Sequence, residues 1–269
     1  MKSSLTATAL AAGLAAWALT LAAASVLPEG GSLHRLATLL GGSWSGYIQA
    51  AIYAVAVYAA LILRGRRTEL RREAAALGQG LLPEQDQLVL TPDEVAGIKL
   101  EAIRRERGGN PTVVGELVKK ACAQFRNAND VGETLQVFQA QVATRKEAAE
   151  GELEVVRYLT GAVVSLGFIG TLLGLSSSIG LAHLASTDAG MSAVTASLNL
   201  AFDTTLVALV VGLAVNLLYH GYLRELDTFY SRTRAYVIDN LISRIYRPEA
   251  LRPARARSNG HALDLTGAV

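Results

Sequence analysis

Asp203, Thr204 and Thr205 stand side by side in a long apolar stretch, Gly190 to Tyr222, in which Asp203 is the only formal charge. A charged residue deep in a membrane helix is expensive, so it marks an ion route or a buried partner contact. An earlier apolar stretch, Tyr158 to Thr187, carries Thr171 within Gly170-Thr171-Leu172-Leu173-Gly174. Neutral hydroxyl oxygens can replace the water around a hard cation, whereas a proton needs only a titratable group and a water chain. Thr171, Thr205, Thr204 and Asp203 are therefore the candidate ion-pathway residues.

Their depth agrees with this reading. The first stretch has no charge between Arg157 and Asp188, which puts its midpoint near residue 172. The second, counted from Ala189 to Leu223, has its midpoint near residue 206. A hydrocarbon core takes about 20 residues of helix, so Thr171 and Thr205 are expected at one height near mid-membrane. The connection Ser186-Thr187-Asp188-Ala189-Gly190 is short and makes the two helices antiparallel neighbours. Gly167, Gly170, Thr171, Gly174 and Ser178 recur at helical spacing on the first helix, and Thr205, Ala208, Gly212 and Asn216 on the second. Small residues let helix backbones approach and hydroxyls bond across the contact, so this face reads either as helix packing alone or as packing that also lines a pore.

Gly-Thr-Leu-Leu-Gly at 170–174, followed by Asp-Thr-Thr at 203–205, resembles the MotA/TolQ/ExbB proton-channel family over about residues 112–225. Thr171 matches that family's Gly-Thr threonine and Thr205 the pore threonine of its second helix. Two positions depart from the family pattern. Leu200 stands where ExbB and TolQ proteins usually carry a glutamate, and Ala214 where the family has a proline. The resemblance implies a channel-forming stator subunit that couples proton flow to mechanical work, with sodium as the alternative ion. It also implies five copies around a dimer of a single-helix partner of ExbD, TolR or MotB type, whose aspartate takes up and releases the ion. The sodium alternative follows from the threonines matching Thr171, Thr204 and Thr205 in sodium-driven stators, of which only Thr204 discriminates.

The rest of the chain supplies the elements that hold these residues. At 51% apolar composition, the 269-residue chain is too apolar for an ordinary soluble domain. Residues 5–27 form a first apolar run, read as a retained membrane helix with a cleaved signal peptide as the alternative. A connection from Pro28 to Gly46 follows, carrying only Glu29 and Arg35, with Trp44 and Tyr47 placed as interfacial anchors. A second run, 47–63, stops at Arg64-Gly65-Arg66-Arg67. Of 25 Lys and Arg, 14 lie between Arg64 and Lys146 and eight after Leu223. The positive-inside rule then puts both termini in the cytoplasm.

The expectation is an all-α protein of the bacterial inner membrane with four transmembrane helices, two of them running on into a helical cytoplasmic region. Residues 1–64 form an N-terminal hairpin, 65–156 a cytoplasmic helical region, 157–223 the pore-lining hairpin, 224–248 a cytoplasmic extension, and 249–269 a disordered tail. The helix from Val131 is expected to run unbroken into the membrane, and the last one to continue to Pro248. Thr91-Pro92-Asp93-Glu94 should start a helix and Gly108-Gly109-Asn110-Pro111 should end it. Cys122 reads as a small core residue. The sequence holds no phosphate loop, metal-ligand spacing or catalytic triad, so neither an enzyme nor a cofactor is expected. The arginine cluster abuts a membrane helix, which argues against nucleic acid as a partner. A non-conducting four-helix scaffold or sensor is the competing class; a secondary transporter ranks third, since the two hairpins show no inverted repeat.

Overall fold

The computed structural model describes residues 2–28, 31–42, 46–78, 80–83, 89–109 and 111–245; the tail expected at 249–269 and Trp44 lie outside them. Eight α-helices follow one another: α1 Lys2–Val26, α2 Ser32–Leu39, α3 Tyr47–Leu77, α4 Pro92–Arg107, α5 Val113–Ala128, α6 Val131–Gly151, α7 Glu154–Gly180 and α8 Asp188–Asn240. No strand forms among the described residues, only an isolated bridge between Leu90 and Ile245. Four stretches are long and apolar enough to cross a membrane: Thr6–Val26, Tyr47–Leu77, Val131–Gly180 and Asp188–Arg244. The fold is the all-α membrane architecture expected, with long helices continuing past the apolar segments. At 1.5 Å per residue, the 53 residues of α8 extend about 80 Å.

Three elements differ from expectation. The connection after α1 holds a short helix, α2. The helix from Val131 is interrupted after Gly151, where Leu153 N–H bonds to Glu150 O at 2.9 Å in a tightened turn. Glycine weakens a helix interior, and burying Leu153, 1% exposed, favours the turn. Finally, α8 stops at Asn240 rather than continuing to Pro248. Leu241 leaves helical geometry at φ −125°, ψ −67°, a 3₁₀ turn follows at Ile242–Arg244, and Arg244 O then accepts from Leu90 N–H at 2.8 Å.

The chain divides into two compact units. The first comprises residues 1–74 and 144–230 and contains the apolar helices; the second comprises 75–143 and 231–269. In the second, α4 begins with a capping box: Thr91 Oγ1 accepts from Glu94 N–H, and the Glu94 carboxylate accepts from Thr91 N–H at 2.7 Å. The Thr91 N–H and, at 2.9 Å, the Thr91 hydroxyl both donate to the Glu94 carboxylate and hold it below its usual value. Gly109, at φ +86°, turns the chain out of α4. The apolar face of α5, with Leu117, Val118, Ala121, Cys122 and Phe125, is buried. Burial pushes the Cys122 thiol up to about 12, as for an inert core thiol.

Candidate functional site

In the first unit α7 and α8 run antiparallel along a seam of small residues. Gly167 faces Ala208, Gly170 faces Thr204, Gly174 faces Ala201, and Val163 and Val164 face Gly212. A Cβ added at Gly174 would lie 2.7 Å from Ala201 Cβ and 2.8 Å from Ser197 O, so any larger residue drives the helices apart. Ser178, also buried in the seam, donates to Val194 O at 3.4 Å. Asn216 lies outside this set and is exposed.

Thr171 and Thr205 meet within the seam. Their hydroxyls bond to each other across the two helices. Thr171 Oγ1 also reaches Gly167 O at 3.3 Å and Ala201 O at 3.2 Å. Thr205 Oγ1 reaches the same two carbonyls, at 3.2 and 3.3 Å. Two hydroxyl and two carbonyl oxygens thus form one compact neutral cluster. Sequence reasoning identified the hydroxyls; the carbonyls of Gly167 and Ala201 become visible only when the helices are docked. Thr204 touches the cluster only through Ala201 O. Its side chain is fully buried against Gly170, and its hydroxyl donates to Ala201 O at 3.0 Å.

Asp203 does not join the hydroxyls. Successive helix residues differ by about 100°, so Asp203 and Thr205 point roughly 200° apart. The Asp203 carboxylate instead receives both arms of the Arg35 guanidinium: Nη1 to Oδ2 at 3.0 Å and Nη2 to Oδ1 at 2.9 Å. Arg35 belongs to α2, where the sequence pattern predicts only a connection. The only available signal was that Arg35 is one of two Lys or Arg before Arg64.

The packing of α1 sets the height of these groups. Gly13 meets Ala50 and Ala54, Trp17 meets Gly46, and Thr20 and Ala24 meet Gly42. Trp17 lies near the centre of the apolar span Thr6–Val26. Beside Gly46, Ile48 and Ile52 of α3 pack with Val163, Val207 and Ala208 in one buried cluster, against which Leu39 also lies. The oxygen cluster is therefore close to mid-span. Arg35 is one helical turn before Leu39, as Asp203 is before Val207, so the ion pair sits one turn farther toward the end of α1. α2 is a separate short helix ahead of the apolar span Tyr47–Leu77, and the chain between them includes Gly41 at φ +106°. At the other end, Arg66 pairs with Glu152 at 2.7 Å and Arg67 with Glu225 at 2.9 Å, closing the uncharged zone.

Residues 110–234 match the family model described as the MotA/TolQ/ExbB proton channel family. No curated protein and no solved structure gives a significant match to the chain.

Proposed function

Because this chain belongs, over residues 110–234, to the MotA/TolQ/ExbB proton channel family, we propose that it is the channel-forming stator subunit of an ion-driven motor in the bacterial inner membrane. The observation that carries this reading is the neutral oxygen cluster of Thr171, Thr205, Gly167 O and Ala201 O near mid-span. Polar oxygens at that depth are costly unless used or mutually satisfied. The α7–α8 hairpin also keeps large apolar side chains exposed, among them Phe168, Leu172, Phe202, Leu206 and Leu213. Such a face suits further helices around it, consistent with a homo-oligomer, a pentamer by analogy with the family, enclosing a dimer of single-helix partners. In this scheme the partner's membrane aspartate carries the ion, and Thr171 and Thr205 supply hydroxyls along its route. Both termini are on the cytoplasmic side.

Protons are favoured over sodium because Thr204, the discriminating threonine, is fully buried against Gly170 and presents no surface to an ion. One observation favours a second reading: the cluster satisfies its own hydrogen bonds, as a non-conducting scaffold would require. Co-expression with a single-helix membrane protein carrying an intramembrane aspartate separates the two. The channel reading expects a stable complex whose ion flux disappears when that aspartate becomes asparagine. A complex that forms but conducts nothing supports the scaffold. Flux that persists without sodium and is unchanged in Thr204→Ala supports the proton; a steep sodium dependence weakened by Thr204→Ala supports sodium.

A further inference from the structure

We propose that Arg35 is a positioning residue for the oxygen cluster, and that α2 is the strap through which it acts. The inference rests on the channel reading for its functional consequence but on separate geometry for its existence. α2 is held at both ends of its last turn. Gly42 N–H donates to Ala37 O at 2.9 Å, and Tyr53 Oη of α3 donates to Leu40 O at 2.8 Å. Gly42 also sits against Thr20 O and Ala24 of α1. Leu33, Leu36 and Leu40 form an exposed stripe on α2, suited to lipid, while Arg35 reaches α8 and Leu39 packs into the buried cluster.

Arg35 holds α8 at Asp203, and Leu39, one turn on, packs against the cluster of Ile48, Ile52, Val163, Val207 and Ala208. The Asp203 side chain is 9% exposed and receives both guanidinium arms of Arg35, whose side chain is 52% exposed. A two-bond Arg–carboxylate fork fixes orientation as well as distance. Asp203 and Thr205 lie on one rigid helix, so any rotation of α8 that releases Asp203 also turns Thr205 away from Thr171. The pair thereby sets the direction in which Thr205 points. This gives Asp203 a role distinct from carrying the ion, and makes α2 part of the pathway's support.

The test uses the full complex with Cys122→Ala and Thr205→Cys, so that a single thiol reports on the seam. Its reaction with a small membrane-permeant maleimide is timed with Arg35 intact, with Arg35→Gln, with Arg35→Lys, with Asp203→Arg alone, and with the charge swap Arg35→Asp plus Asp203→Arg. The expected result is at least a fivefold rate change for Arg35→Gln, a smaller one for Arg35→Lys, and a return to within twofold for the swap. A rate unmoved by Arg35→Gln, or a swap no closer to the parent than Asp203→Arg alone, overturns the proposal. Thiol kinetics do not require conduction, so these rates, found while the complex with Thr205 intact passes no ions, refute the channel reading and leave the positioning role intact.

Discussion

At the scale of single residues, the site is defined by which oxygens face one another: those of Thr171, Thr205, Gly167 and Ala201. Thr171 and Thr205 stood out in the sequence because a hydroxyl in an apolar run has few places to go, and matching midpoints put them at one depth. Arg35 did not stand out, because its partner Asp203 lies 168 residues away and no local periodicity links them. Valine has nearly the shape of threonine without the hydroxyl, so Thr171→Val and Thr205→Val should each leave the complex assembled and lower ion flux at least tenfold. Thr204→Val should act mainly on stability, since its hydroxyl is buried and locally bonded. Cys122 offers a pH test in the other unit. Its charged form is the thiolate, and burial raises the folded value to about 12, against about 8.5 for a free thiol. Between these values the unfolded chain has lost a proton that the folded chain keeps, so this group's contribution to stability declines as pH rises above about 8.5. Iodoacetamide at pH 9 should therefore modify Cys122 at least tenfold more slowly in the folded complex than in denaturant. Equal rates would show that the thiol is not buried.

Helices were legible where periodicity or capping chemistry marked them. Thr91 to Glu94 announced α4, and the glycines after Arg107 ended it, because both signals are local. α2 was missed because eight residues between glycines and a proline carry too little pattern to distinguish helix from loop. The interruption at Gly151 and the end of α8 at Asn240 were missed for another reason: no proline marks either place, and tertiary burial of Leu153 and Leu241 decides both. The seam between α7 and α8 yields a prediction at this scale. Overpacking a close helix contact costs about 1–3 kcal/mol, and in a membrane it removes the close backbone approach that drives association. Gly174→Leu should greatly reduce recovery of intact complex. Gly161→Ala, on the same helix with nothing within 4 Å of its added Cβ, should not. Equal recovery of the two would mean that the seam is not tightly packed.

For the molecule as a whole, the distribution of charge explains the architecture. An uncharged zone is bounded by the Arg66–Glu152 and Arg67–Glu225 pairs at one end and the Arg35–Asp203 pair toward the other. Paired charges can border or enter a bilayer where a lone charge would not. The zone's existence was readable from the sequence; the pairing within it required the folded chain. The central claim is that the Thr171–Thr205 cluster lies on an ion route. The direct measurement is proton uptake into liposomes containing the complex with its single-helix partner, at a fixed membrane potential, for the wild type and for the Thr171→Val, Thr205→Val double variant. The account predicts potential-driven uptake by the wild type and at least a tenfold loss in the double variant, with the same number of assembled complexes. Undiminished uptake in the double variant would contradict it.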